Sequence, residues 1–104
     1  MKRAYICSPY RGDVKRNKYY ARQLCKWAIL RGFTPICPHL YITEVLDDND
    51  PTERETGRLH ALELLGVCDV VIVGVSFGIS EGMAAEIKHA ELLGKEIKKI
   101  YIFS

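Results

Sequence analysis

Ser80 and Glu86 are spaced so that together they could act on a phosphorylated sugar. They lie within residues 68–94, CDVVIVGVSFGISEGMAAEIKHAELLG, which reads as a buried strand, a glycine-bearing turn and an amphipathic helix. Residues 69–74 form a β-branched run, and Ser80 stands where a helix N-cap belongs. At about 100° per residue, Met83, Ile87, Ala90 and Gly94 share one stripe, while Glu81, Lys88, Glu91 and Lys95 take the far side. Glu86 falls roughly 60° from the centre of the apolar stripe, so its carboxylate is aimed toward the sheet. The free N–H groups of the helix start, with Ser80, suit an anion. Glu86 stands about 9 Å further along the axis at 1.5 Å per residue, so a phosphate at the cap would leave room for an anomeric carbon beside the carboxylate. The plainer alternative is a Glu86 that sits at the edge of the stripe and reaches water or a lysine, as most charged side chains do.

The remaining elements must position these groups. RAYIC (3–7) is a short strand and Ser8, Pro9, Tyr10, Arg11 and Gly12 form the turn after it. Asp13 can cap a long helix to about Leu30, with Gly32 as its stop. In that helix Tyr20, Leu24, Trp27 and Ile29 or Leu30 recur every three or four residues and read as core. Residues 33–37 are a second strand with Pro38 and His39 at its exit. HLYITEVLDDNDPTE (39–53) is the least regular stretch and reads as a loop of the kind that forms lids or binding segments. A metal site from Asp47, Asp48 and Asp50 would lack the EF-hand spacing and its glycine. From Thr52 the pattern is helical through Leu59, Leu62, Leu65 and Gly66, and IKKIYIF (97–103) is a last strand.

Strands alternating with helices predict an α/β fold. The expectation is a three-layer, doubly wound, mostly parallel sheet of four to five strands, flavodoxin- or Rossmann-like, in one domain over residues 1–104. In such sheets the ligand crevice lies at the carboxyl ends of the strands. Those ends are residues 8–12, 38–39 and 74–80, so three separate segments, with Ser8, Tyr10, Arg11, Gly12, His39 and Ser80 among their residues, converge on one place. Asp69 opens its strand at the opposite edge and reads as structural. No GxGxxG follows the first strand and no P-loop motif occurs, which removes the dinucleotide-binding and P-loop readings.

A net charge of +2 over 104 residues is too small to argue for a nucleic-acid polymer. The basic run in RGDVKRNKYYARQLCK alternates with apolar residues as an exposed helix face would. Cys7, Cys25, Cys37 and Cys68 show no metal-ligand spacing and read as buried free thiols of a reducing compartment. No signal peptide and no stretch of membrane-spanning length is evident, so the cytoplasm is the expected location.

With these residues assembled, the chain resembles the nucleoside 2-deoxyribosyltransferase superfamily, including its 2′-deoxynucleoside 5′-phosphate N-hydrolase branch. YICSPYRG (5–12) is similar to the family's first strand and Arg-Gly turn. In CDVVIVGVSFGISEGMAAEIKHA (68–90), Ser80, Gly82 and Glu86 match the family's Ser-x-Gly-x-x-x-Glu pattern. The resemblance implies cleavage or transfer at the N-glycosidic bond of a nucleoside or nucleoside 5′-monophosphate. It makes Glu86 the nucleophile and gives Ser80 with Arg11 and Gly12 the 5′ end or its phosphate; Tyr10 and His39 line the same edge, where each could contact base or sugar or could equally be packing. It further implies a small-molecule partner, no cofactor, and a homo-oligomer with shared sites. The family's Asp, which assists the leaving base, has no counterpart in the stretch from Arg58 to Glu63. His60, Glu63 or a carboxylate of residues 44–50 are the substitutes the sequence offers. The alternative is a non-catalytic nucleotide-binding or sensing module on the same scaffold. Glu86 argues against it, because a pure phosphate binder gains nothing from a carboxylate near an anion.

Overall fold

A computed structural model describes residues 1–102 of the chain. In order it forms β1 (Arg3–Cys7), α1 (Val14–Leu30), β2 (Thr34–Ile36), a 3-10 turn (Pro38–Leu40), α2 (Ile42–Val45), α3 (Pro51–Gly66), β3 (Val70–Gly74), α4 (Glu81–Leu92) and β4 (Glu96–Ile100). The strands make one sheet in the order β2-β1-β3-β4, and every pairing is parallel. In register, Tyr5 stands beside Val71 and Ile36, and Cys7 beside Val73.

Period-two alternation in the two central strands sorts their side chains onto two faces. Ala4, Ile6, Val70 and Ile72 face α1, where Tyr20, Ala21, Leu24 and Ala28 pack on them. Tyr5, Cys7, Val71 and Val73 face α3 and α4, against Ala61, Leu65, Met83 and Ala90. The result is the three-layer α/β architecture expected, with four strands. β3 is buried along its whole length, as a central parallel strand covered by helices on both sides must be.

Local signals set the helix ends. Asp13 caps α1 by accepting from the Arg16 N–H at 3.1 Å, and Gly32 leaves the helix at φ 84°. Asp50 caps α3 with Pro51 in its first turn. Ser80 caps α4, accepting from the Met83 N–H at 3.3 Å. Gly74 is required for a different reason. A Cβ there would lie 2.6 Å from the Tyr20 hydroxyl and 2.7 Å from Leu24 Cδ1, so its absence lets α1 press against the end of β3.

The helical stripe of α1 runs one residue from where the sequence put it at its C-terminal end. Ala28 is buried while Ile29 and Leu30 are exposed, because the buried stripe runs Tyr20, Leu24, Ala28 and the next two residues turn about 100° and 200° away from it. In α3, Leu65 is buried but Leu59 is exposed. The stretch read as a loop over 39–53 holds the 3-10 turn, α2 and the start of α3. It is tied down by Lys18 of α1, which pairs with Glu44. The second strand is shorter than its predicted span, and β4 begins at Glu96 and ends at Ile100; Tyr101 and Ile102, expected in the last strand, are outside it, and Phe103 lies outside the described residues. Asp69 does act structurally at the far edge, accepting from the Arg3 N–H at 2.8 Å.

Candidate active site

A cavity of about 680 Å³ opens at the carboxyl edge of the sheet and extends between α3 and α4. Ser8, Tyr10 and Arg11 reach it from the β1 exit, His39 from the β2 exit, and Ser80, Gly82 and Glu86 from α4. Gly12 does not line it. That residue serves the turn instead, at φ 99° with its carbonyl accepting from the Val14 N–H. The crevice therefore forms at the point where the chain passes from β1 outward to β2 on one side and to β3 on the other, as the topology dictates.

Glu86 is turned in toward the sheet, as its angle on the helix predicts. The Tyr5 hydroxyl, projecting from the buried face of β1, donates to Glu86 Oε2. The Cys7 thiol, two residues along the same face, donates to the Met83 carbonyl at 3.8 Å. Burial raises the Glu86 pKa above the usual carboxylate value, and the Tyr5 bond with the nearby Cys7 thiol pulls it back only in part. Its charge in turn joins burial in pushing the Tyr5 and Cys7 pKa values well up. Tyr5 and Cys7 went unrecognised in the sequence, since inward residues of a short strand look like core.

The first turn of the site is held by a buried amide. Asn17, 1% exposed, donates to the carbonyls of Tyr10 at 2.9 Å and Arg11 at 3.1 Å, and its Oδ1 accepts from the Arg16 guanidinium. Arg16 also lies 4.0 Å from the Phe77 ring centroid, which links the β1 and β3 exits. Arg11 is half occupied, its Nε 3.3 Å from Asp48 Oδ2.

His39 sits with Nε2 2.9 Å from the Ser8 carbonyl, and because a carbonyl only accepts, that nitrogen carries the proton. Burial lowers the His39 pKa, against the opposing pull of the Ser8 bond and the Asp48 charge. The imidazole is thus a neutral wall at pH 7, and the Tyr10 ring lies over it at 5.3 Å and 34°. Ser8 Oγ is buried without a hydrogen-bond partner among the described residues. At the start of α4 the N–H groups of Glu81 and Gly82 have no acceptor within the helix.

Of the groups offered in place of the missing acid, Asp48 lines the cavity, whereas His60 and Glu63 line a separate groove with Leu59, Leu62 and His89. Arg54 and Arg58 of α3 also reach the cavity; Arg58 is bound through two nitrogens to Glu55, at 2.8 and 2.7 Å. Among the described residues no cluster of three or more His, Cys, Asp or Glu is placed to hold a metal ion, and no helix is long and apolar enough to cross a membrane.

An all-parallel, helix-covered sheet with its crevice between the first and third strands defines a Rossmann-like α/β protein. More narrowly, residues 2–100 match the model of DUF7768, a domain of unknown function, and the chain belongs to that family. No curated protein matches the chain. Among solved structures it is similar to a 2-deoxyribosyltransferase of Bacillus psychrosaccharolyticus (TM-score 0.70, 18% identity, 95% of this chain and 72% of that one). It is also similar to a 2-desoxiribosyltransferase from Leishmania mexicana (TM-score 0.71, 21% identity, 97% of this chain and 65% of that one). A third likeness is to the Clostridium botulinum CMP N-glycosidase BcmB (TM-score 0.55, 19% identity, 96% of this chain and 69% of that one). At these identities the likeness is one of fold.

Proposed function

We propose that this protein cleaves or transfers at the N-glycosidic bond of a nucleoside or nucleoside 5′-monophosphate, with Glu86 as nucleophile. The observation that carries the reading is a buried carboxylate, held by the Tyr5 hydroxyl, facing a cavity large enough for a nucleotide. The names of the three structural neighbours, two deoxyribosyltransferases and a CMP N-glycosidase, support the same chemistry.

In the proposed reaction, a carboxylate oxygen of Glu86 attacks the anomeric carbon on the face opposite the base. The C–N bond breaks with its electron pair leaving on the base nitrogen, and the sugar is held as an ester. Water, or a second base, then attacks the same carbon and frees Glu86. The Tyr5 hydroxyl fixes which oxygen of Glu86 points outward. Arg11, the free N–H groups of Glu81 and Gly82, and the Ser80 hydroxyl take the 5′ phosphate, for which a planar guanidinium fork is well suited. Tyr10 and neutral His39 form the aromatic wall for base or sugar. The compartment is the cytoplasm, and a second copy of the chain completes the open side of the site.

A second reading, a nucleotide-binding or sensing module without chemistry, draws on one observation. The one cavity-lining carboxylate among the substitutes considered for the leaving base, Asp48, is paired with Arg11. The two readings separate on one experiment: free base released from deoxy- and ribonucleosides and their 5′-monophosphates, with and without a second base, by wild type and Glu86→Gln. Base release that falls about 10³-fold or more in the variant supports the enzyme, and a rise with added base makes it a transferase. No release, with a monophosphate still raising the melting temperature, favours the binding module.

A further inference from the structure

We propose that Asp48 competes with the substrate's 5′-phosphate for Arg11, so that a ligand must displace a carboxylate to reach the guanidinium; the proposal rests on the phosphate role given to Arg11 above. Arg11 Nε lies 3.3 Å from Asp48 Oδ2, and both side chains line the cavity. A guanidinium takes carboxylates and phosphates through the same donors. An anion bound to Arg11 would therefore stand within a few ångströms of the Asp48 charge, where like charges repel. Either the carboxylate leaves the guanidinium or the phosphate is weakly held.

The pair has the geometry of a displaceable contact rather than a support. At 3.3 Å it is longer than the roughly 2.7–2.9 Å of a charge-assisted hydrogen bond, whereas Arg58 holds Glu55 through two nitrogens at 2.8 and 2.7 Å. The Arg11 side chain is 61% exposed and that of Asp48 26%, and a pair this open to water adds little to stability. Neither backbone depends on it. Asn17 Nδ2 holds the Arg11 carbonyl at 3.1 Å. The turn that carries Asp48 is closed by Asp47, which accepts from the Asn49 N–H through Oδ1 at 2.9 Å and from the Asp50 N–H through its carbonyl at 3.1 Å. An anion that offers only its charge therefore meets an Arg11 already engaged. A nucleotide brings the contacts of its sugar and base as well, so its phosphate displaces Asp48 where a free anion does so only weakly.

Calorimetric titration of Glu86→Gln protein with nucleoside 5′-monophosphates, the matching nucleosides and inorganic phosphate tests this without turnover. Adding Asp48→Asn should tighten the monophosphates and inorganic phosphate by about three- to tenfold and change the nucleosides by less than about twofold. Asp48→Ala should do the same and covers an asparagine that keeps hold of Arg11 through its amide oxygen. In an Arg11→Ala background the gain from either substitution should vanish, since the competition needs both partners. Phosphate binding weakened by both Asp48 variants would make the carboxylate a support for Arg11 and overturn the proposal. So would a gain of equal size without Arg11, which would reduce Asp48 to general repulsion, or phosphate binding by none of these proteins. Base release by protein with Glu86 intact, measured on the same nucleotides, reports separately on the chemistry. A gain in phosphate binding that needs Arg11, with no base released, would sink the glycosidic reading and leave the Asp48 assignment standing. Base release with phosphate binding indifferent to Asp48 would do the reverse.

Discussion

The Tyr5 hydroxyl donates to Glu86 Oε2, joining a side chain of the central strand to a carboxylate on the last helix. Tyr5 is packed among Cys7, Val71 and Val73 and is 1% exposed, so the carboxylate is positioned by the hydrophobic core itself. Removing the hydroxyl should loosen that placement and also withdraw a bond that lowers the Glu86 pKa. Tyr5→Phe is expected to reduce kcat by about ten- to a hundredfold and to move the acidic limb of the pH–rate profile to higher pH. The profile is the deciding readout, since a merely structural loss would lower the rate without moving the limb.

The buried carboxylate also makes a statement about stability. Burial raises the Glu86 pKa in the fold, whereas in the unfolded chain it is about 4.3. Below the unfolded value both states are protonated and the group is neutral in effect. As pH rises from there through the folded pKa, the unfolded state gives up its proton first, so the native state loses stability. Glu86→Gln removes this cost. The variant should melt higher than wild type at about pH 8, and the gap should close by about pH 4; a gap of constant size across that range would contradict the assignment.

Arg11 pairs with Asp48, its Nε 3.3 Å from Oδ2, and lines the cavity. Arg11→Ala should therefore weaken 5′-monophosphates by about ten- to a hundredfold while changing unphosphorylated nucleosides by no more than about threefold. Comparing KM, or Kd in Glu86→Gln protein, for matched pairs settles it. Equal losses on both would remove Arg11 from the phosphate site.

At the other face of the sheet, Gly74→Ala would drive a methyl into the Tyr20 hydroxyl and Leu24. That hydroxyl also accepts from the Ser76 N–H at 3.1 Å, so the clash would spread to the β3 exit. A loss of about 1–3 kcal/mol is expected from denaturant melts. A second substitution, Tyr20→Phe, should recover part of it by removing the closest atom.

The fold was legible because strands and helices announced themselves by period, and because Asp13, Gly32 and Ser80 are strong stop and start signals. Glu86 was legible because a carboxylate near an apolar stripe breaks a pattern. Tyr5 was not, because a tyrosine at an inward strand position obeys its pattern, and its partner is distant in the chain. The ion pair of Arg11 with Asp48 depends on how α2 and the segment after it fold back over the β1 exit, which periodicity does not encode. His60 and Glu63 could not be separated from Asp48 until the packing of α3 showed which face looks into the cavity. The end of α1 misled because Ile29 and Leu30 are apolar yet lie off the buried stripe and are exposed.

A parallel sheet brings every returning helix back from the same edge. α1, α3 and α4 all begin on the side where the cavity opens, and each carries a backbone macrodipole equal to about half a positive charge at its start. The side chains around the cavity nearly cancel, with Arg11, Arg54, Arg58 and Lys88 set against Asp48, Glu53, Glu55, Glu81 and Glu86. Under the proposed function, much of the crevice's attraction for an anion would thus come from peptide groups. That contribution does not titrate, and a substrate's charge would be felt there before any side chain had closed around it.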